Sequence, residues 1–290
     1  MRTSAPAIPA PVLSRLARRA LEEDLGSGDV TTDLVVPATT TVRATLVARA
    51  AGVVCGLDLA RTVFLALDPS LEIQLTAGDG DRVEAGAALL TVRGPARPIL
   101  SAERVALNFV GRLSGIASLT RRYVDAVEGT GARIVDTRKT TPGLRALEKY
   151  AVRCGGGHNH RLGLSDGFML KDNHRAALAA AGRPLPDAVR SARQRLGHGV
   201  AVTVEVDGLE QVAEALEAGA DSILLDNMTP EQLARAVAQV GGRARTEASG
   251  GITLESVRVA AESGVDRISV GALTHSAPAL DVALDFDWDA

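Results

Sequence analysis

The stretch CGGGHNHRLGLSDGFMLKDNH, from Cys154 to His174, holds three of the chain's five histidines: His158, His160 and His174. It also holds Arg161 and Lys171. Of the 32 basic residues only three are lysine (Lys139, Lys149 and Lys171), and the other 29 are arginine. In a chain rich in alanine, arginine and glycine, arginine is the default cation, so a retained lysine asks for a reason. An ammonium is a compact point charge, and the planar guanidinium fork does not replace it at every site.

More residues of this kind stand at the ends of short apolar runs. Thr137, Arg138 and Lys139 follow ARIVD, Lys171 follows GFML, and Glu205 lies near the end of VTVEV. Asp226 ends SILLD, Ser249, Gly250 and Gly251 follow RTEA, and Val270–Gly271 closes RISVG. Any one of these alone carries little, because loops are polar in general. Together they divide into two chemistries. Arg138, Lys139, Arg161 and Lys171, with His160, form a cationic group suited to a small polyanion. Glu205 and Asp226 are acceptors for sugar hydroxyls, supports for a developing carbocation, or ligands for a hydrated Mg²⁺. The Ser249-Gly250-Gly251 loop, ahead of a helix predicted to start near Thr253, and the Val270–Gly271 turn offer backbone N–H groups to a terminal phosphate. The sum is a site for a phosphorylated sugar beside an acidic small molecule. Two other uses compete. Lys171 at a strand end could form a Schiff base, as in a barrel aldolase, although four further cations nearby favour carboxylate binding. Cys154, His158 and His160 make a C-x3-H-x-H pattern that lacks a fourth ligand at a usual zinc spacing.

Strands and helices must bring these residues together. Residues 11–26 predict a helix, with Pro11 in the first turn, an apolar stripe through Leu13, Leu16, Ala17 and Leu21, and Gly26 as stop. Within residues 41–94 the stretches 41–56, 71–83 and 87–94 alternate or run apolar between Gly and Asp turns and predict strands. Their segment GDGDRVEAGAALLTV resembles the turn of a biotinyl or lipoyl carrier, but no lysine precedes Lys139 to carry the group. Residues 101–129 predict a helix with a break around Gly111 to Gly115. From about residue 130 strand and helix alternate about six times. The strands are ARIVD, GFMLK, VAVTVEV, DSILLD, ARTEAS and DRISVG. The helices include 142–154, with Thr141 as cap and Pro142 first, 187–197, and 230–242 behind a Thr229/Gln232 capping box. This rhythm predicts a parallel sheet. The similar beads EAGADSILLDN and ESGVDRISVG favour a barrel, whose strand ends converge on one mouth.

Bulk composition excludes several classes. The net charge of −3 gives no global pull toward nucleic acid or a membrane surface. Aromatics at 2% argue against stacking on single strands. No apolar run approaches the roughly 20 residues of a membrane span, and the N-terminal stretch lacks a signal peptide's apolar centre. Two cysteines, Cys55 and Cys154, do not make a disulfide framework, so a reducing cytoplasm is expected.

The segment DTRKTTPGLRALEKYAVRCGGGHNHRLGLSDGFMLKDNH closely resembles the signature of the quinolinate phosphoribosyltransferases. The likeness continues in ERVALNFVGRLSGIAS, VEVDGLEQ, ILLDNM, ASGGI and DRISVGALTHSAPALDVALDF, and covers nearly the whole chain. Two positions depart from the pattern: Thr203 where the family often has an acidic residue, and Ala248 where serine is common. The resemblance implies an α/β fold of two domains. An N-terminal α/β sandwich, residues 1–115, is completed by the tail 275–290, and an open (incomplete) βα barrel spans 116–274. It implies a homodimer with shared active sites, in which Arg104 of one chain reaches its neighbour's substrate. The implied reaction joins quinolinate to 5-phosphoribosyl-1-pyrophosphate and releases CO₂ and pyrophosphate, on the de novo route to NAD. Mg²⁺ is carried mainly by the phosphoribosyl pyrophosphate, with no dedicated metal ligands and no organic cofactor. Arg104, Arg138, His160, Arg161 and Lys171 would hold quinolinate, with Thr137 beside them. Lys139, Lys171, Glu205 and Asp226 would be the catalytic group, and Ser249, Gly250, Gly251, Val270 and Gly271 would take the 5-phosphate. A related phosphoribosyltransferase acting on another acid stays open as an alternative.

Overall fold

A computed structural model describes residues 7–196 and 199–288 of the chain. Gly197, with which one predicted helix ends, and the first six residues of the stretch read for a leader lie outside them. Along the chain run α1 (Ala10–Leu25), α2 (Val30–Val35), β1 (Thr41–Ala48), β2 (Gly52–Val53), α3 (Leu57–Leu67), β3 (Glu72–Leu75), β4 (Arg82–Val83), β5 (Ala88–Pro95) and α4 (Ala96–Ala126). Then come β6 (Arg133–Val135), α5 (Arg145–Cys154), β7 (Phe168–Leu170), α6 (Asp172–Ala180), α7 (Leu185–Arg193), β8 (Val202–Val206) and α8 (Leu209–Glu217). The chain ends with β9 (Ser222–Asp226), α9 (Pro230–Val240), β10 (Arg245–Ser249), α10 (Val257–Glu262), β11 (Arg267–Ser269), α11 (Ala272–His275) and β12 (Val282–Asp287). Two compact units result. The first comprises the chain up to Arg121, Thr141–Gly156 and the chain from Ser276; the second comprises Arg122–Thr140 and Gly157–His275.

In the first unit an antiparallel sheet runs β12-β1-β5-β3. β1 buries alternate residues, among them Val42, Ala44 and Leu46, as a half-covered strand should. Two features differ from the sequence reading. LDLARTVFLAL is a helix, α3, between stretches read as strands: Leu57, Ala60, Val63 and Phe64 are buried at helical spacing, and α3 packs on α1. The second difference is α4, which runs 31 residues with no break at its glycines. A Cβ at Gly111 would lie 3.1 Å from the Leu280 carbonyl, and one at Gly115 only 2.0 Å from that of Pro278. The C-terminal segment crosses the helix there, and the Leu280 N–H donates to the Gly111 carbonyl at 2.9 Å. The glycines admit a neighbouring chain and do not end a helix.

α5 starts at Arg145, three residues after the predicted Pro142, and Thr141 does not cap it. Gly143, at φ 81°, turns the chain first. Thr141 instead donates its N–H at 3.0 Å and its hydroxyl at 2.8 Å to the buried carboxylate of Glu148, which Arg112 also reaches at 2.8 Å.

The second unit is a parallel sheet of six strands in the order β6-β11-β10-β9-β8-β7. β6 and β7, its first two strands in the chain, occupy the edges and do not pair, so the barrel stays open. The strands carry the core of this unit: Ile134, Val204, Ile223, Leu225, Ala248 and Ile268 are nearly inaccessible, while β8 alternates buried and half-exposed residues. The Thr229/Gln232 capping box forms as predicted. α10 starts at Val257, behind a turn that begins at the predicted Thr253, whose carbonyl accepts the Val257 N–H at 2.9 Å and whose N–H donates to the Ser256 hydroxyl at 2.9 Å. Among the described residues no helix is long and apolar enough to cross a membrane.

Gly115→Ala tests the crossing. Alanine in mid-helix gains about 1 kcal/mol of propensity, but the clash with Pro278 acts against it. A net loss of about 1–3 kcal/mol is expected, as for overpacked cores, read as a lower urea midpoint. An unchanged midpoint would mean that the C-terminal segment yields freely.

Candidate active site

Because all six strands are parallel, their C-terminal ends and the loops after them share one mouth. A cleft of about 700 Å³ opens there, lined by Thr137, Arg138, Lys139, His160, Arg161, Lys171, Glu205, Asp226, Ser249, Gly250, Gly251 and Gly271. The second unit therefore brings together all the predicted site residues except two. Arg104 is exposed on α4, in the first unit. Val270 is buried and its N–H donates to the Val135 carbonyl at 3.0 Å, so the sheet uses that amide and Gly271 faces the cleft instead.

The cations differ in their surroundings. The Arg138 Nε is buried with no hydrogen-bond partner. Arg161 donates to the Gly167 carbonyl at 3.0 Å, and burial and the nearby Arg138 charge hold its guanidinium below the ordinary range. Lys171 ends the loop after β7 and precedes the first residue of α6; its N–H donates to His174 Nδ1 at 3.0 Å, which gives that histidine a structural task. Its half-exposed ammonium lies 3.2 Å from a Glu205 carboxylate oxygen. Such pairing suits a group that holds charge. A Schiff-base amine needs the reverse, a neutral form favoured by an apolar pocket or by cationic neighbours.

Two buried carboxylates that the sequence reading passed over set this geometry. Asp136, wholly buried at the end of β6, accepts from the Asn159 side chain at 2.6 Å and from the His160 N–H at 2.8 Å. Glu247, 1% exposed on β10, lies 3.3 Å from His160 Nε2 and accepts from the Ser269 hydroxyl. His160 Nδ1 accepts the Arg161 N–H at 2.9 Å, which places the ring's proton on Nε2, facing Glu247. His160 thus serves as a strut between the Arg161 backbone and β10. The signal was present in the sequence as an acidic residue inside an apolar strand, in ARIVD and ARTEAS. His158 bridges to Val135 along the edge of β6, which accounts for it structurally.

Backbone geometry shapes the anion end. Gly250 has φ 92°, and a Cβ there would lie 2.1 Å from the Asn227 side-chain oxygen. Asn227 itself takes φ 55°, a region asparagine tolerates, with its N–H on the Ser249 carbonyl at 2.8 Å. At Gly271 a Cβ would stand 3.1 Å from both Lys139 Cδ and the His275 ring. Thr274 donates to the Lys139 carbonyl at 2.6 Å and holds that loop in place. A second cleft of about 760 Å³ shares Glu205, Asp226 and Asn227 with the first, so these carboxylates stand where the two adjoin.

Comparison with known proteins agrees with this architecture. The family model described as quinolinate phosphoribosyl transferase, C-terminal domain, matches residues 116–285, and that of the N-terminal domain matches residues 29–114. The chain belongs to the quinolinate phosphoribosyltransferase family. It is 48% identical over 277 residues to the nicotinate-nucleotide pyrophosphorylase (carboxylating) of Mycobacterium leprae, covering 92% of this chain and 95% of that one. With the probable nicotinate-nucleotide pyrophosphorylase (carboxylating) of Bacillus subtilis it shares 44% identity over 273 residues, 94% and 93% of the two chains. The crystal structure of NadC from Streptococcus pyogenes superposes with a TM-score of 0.91 at 40% identity, covering 97% of this chain and 99% of that one.

Glu247 gives a pH test. Burial pushes its carboxyl up, but the hydrogen bonds from His160 and the Ser269 hydroxyl, with the Arg267 charge, outweigh burial and hold it below the ordinary range. A depressed carboxyl contributes stability that is fully present above its unfolded value, about 4.5, and is lost as pH falls through the folded value. Glu247→Gln is therefore expected to flatten the acid limb of stability, measured by urea unfolding from about pH 6 to about pH 3. An acid limb as steep as that of the unaltered protein would remove Glu247 from this role.

Proposed function

We propose that the chain transfers the phosphoribosyl group of 5-phosphoribosyl-1-pyrophosphate to quinolinate with loss of CO₂, giving nicotinate mononucleotide and pyrophosphate in de novo NAD synthesis. One observation carries this reading. Arg138 has a buried donor without an acceptor, beside a second guanidinium whose charge opposes its own. An unmatched buried donor costs about 1–3 kcal/mol, and a ligand with two adjacent carboxylates relieves both the missing bond and the repulsion. Quinolinate is such a ligand.

Roles follow from position. Arg138, Arg161 and Lys171 hold the two carboxylates, and Thr137 closes that end. The Ser249-Gly250-Gly251 loop and Gly271 take the 5-phosphate, where only glycine lets the backbone approach closely enough. Glu205 and Asp226 accept from the ribose hydroxyls and stabilise the positive charge that grows at C1 as the C–O bond to pyrophosphate breaks. The quinolinate nitrogen then bonds to that carbon. Lys139 and Lys171 neutralise the departing pyrophosphate. The pyridinium so formed draws the electrons of the C2–carboxylate bond, CO₂ leaves, and C2 takes up a proton. The oxygen donors Glu205 and Asp226 fit a hard cation; they would hold Mg²⁺, which would supply charge neutralisation beside the pyrophosphate. A cytoplasmic location suits a chain with two free thiols.

The proposal includes a homodimer with shared sites. Arg104 is an exposed cation, and Val30, Leu34 and Val35 are 70%, 79% and 70% exposed on one short helix, an apolar face that suits a second copy. Neither Arg104→Ala nor Lys171→Ala is expected to turn over alone. Equal mixing of the two after unfolding and refolding should restore about a quarter of the activity, since one site in four of a random dimer set has both residues intact. No recovery would sink the shared site.

The reaction is tested with purified protein, phosphoribosyl pyrophosphate and Mg²⁺, offered quinolinate or nicotinate. Nicotinate mononucleotide and CO₂ should come from quinolinate alone, and a chelator should stop turnover until Mg²⁺ is restored. Product from nicotinate, or none from quinolinate, would refute the assignment. Lys171→Arg should keep the fold and lose at least about tenfold in kcat, since a guanidinium does not replace a point charge. Full activity in that variant would end the argument for a lysine there.

A further inference from the structure

The first unit holds a second cluster of reactive side chains that the reaction does not use. Cys55 lies between β2 and α3, Asp79 in the turn between β3 and β4, and Cys154 is the last residue of α5. Their two sulfurs and a carboxylate oxygen all lie within 4.8 Å of one another. The chain contains no other cysteine, so both of its thiols meet at this point.

The carboxylate is fixed in place. One oxygen of Asp79 accepts the Gly56 and Leu57 N–H groups, each at 3.0 Å. That leaves its other oxygen 3.0 Å from the Tyr150 hydroxyl and 4.0 Å from the Cys55 sulfur. The supporting turns are built for close approach. Gly56 has φ 101° and a Cβ there would meet Leu113 at 2.9 Å, and Gly80 has φ 92° with the Cys154 carbonyl 3.4 Å from where its Cβ would stand. Cys55 is wholly buried and Cys154 half-buried.

Left without a cation, this is an unfavourable place for charge. Cys154 stands at the C-terminus of α5, where the helix dipole opposes a thiolate and favours a cation. A reactive thiol pair would want the opposite field. A cation with soft preferences satisfies every one of these groups. Tetrahedral zinc sets its sulfur and oxygen ligands about 3.5–3.8 Å apart, so atoms that lie within 4.8 Å need close by no more than about 1.3 Å.

We propose that Cys55, Asp79 and Cys154 form a zinc site, with Tyr150 holding the carboxylate from outside and solvent completing the tetrahedron on the side of Cys154. Binding breaks two S–H bonds, releases two protons to solvent, and forms two Zn–S bonds and one Zn–O bond, with no change of oxidation state. The ion would join three segments far apart in the chain and fix the last turn of α5. This inference is independent of the reaction assigned above.

Cobalt(II) is the probe, added to the full-length, reduced protein. One equivalent should give the intense visible bands of tetrahedral cobalt and a near-ultraviolet thiolate charge-transfer band, and zinc should displace it. With only two cysteines in the chain, that band has a single possible origin. Cys55→Ser and Cys154→Ser should each cut the charge-transfer intensity and weaken binding at least about tenfold. Asp79→Asn keeps the oxygen that accepts from Gly56 and Leu57, so it should fold, and it should also weaken binding at least about tenfold. Zinc should raise the melting temperature of the unaltered protein and leave that of Cys55→Ser unmoved. The absence of a thiolate band at one equivalent would overturn the proposal. So would purified protein with no free thiols and no metal, which would show a disulfide instead.

Discussion

Two like charges, those of Arg138 and Arg161, line one cleft of the second unit and act on each other there. Burial and the Arg138 charge lower Arg161's hold on its proton, and Arg138 has a buried donor without an acceptor. Buried carboxylates pin the backbone that carries them. Asp136 at the end of β6 anchors Asn159 and His160, and Glu247 on β10 anchors the His160 ring, whose other nitrogen receives the Arg161 N–H. Such preorganisation makes a cationic cleft selective for ligands carrying more than one negative charge.

The same economy of backbone recurs in the glycines. Gly250 and Gly271 are required because side chains of Asn227, Lys139 and His275 already occupy the space a Cβ would take. In the first unit, Gly111 and Gly115 let the C-terminal segment lie against α4, and Gly56 and Gly80 let the Cys55, Asp79 and Cys154 segments meet. Close approach therefore serves the fold in one unit and the anion site in the other. The two-unit architecture is that of the quinolinate phosphoribosyltransferase family, with a parallel sheet left open between β6 and β7 and a separate antiparallel sheet.

Much was legible in the residues alone. The six parallel strands, the capping box of α9 and the collection of cations and carboxylates at strand ends all follow from local pattern. Periodicity and position along a strand need no knowledge of distant neighbours. Where local pattern misled, a distant neighbour was the cause. α3 lies between stretches read as strands, and its buried residues at helical spacing pack on α1, a partner far from it in the chain. α4 carries glycines that look like breaks until the C-terminal segment is placed across them. Thr141 and Pro142 look like the start of a helix, but Glu148 captures Thr141 and α5 begins later.

The sequence by itself determined the class of chemistry: a cationic nest, two carboxylates and glycine loops at one mouth, with a signature that resembles one family. Only the tertiary structure decided how those groups are held. It showed that His160 is a strut, that the Val270 amide belongs to the sheet, and that Cys55 meets Cys154 across 99 positions of chain. These are pairings between residues remote in sequence, and no local pattern encodes which buried donor will face which acceptor. That choice is made when the strands align and the core closes over Asp136 and Glu247.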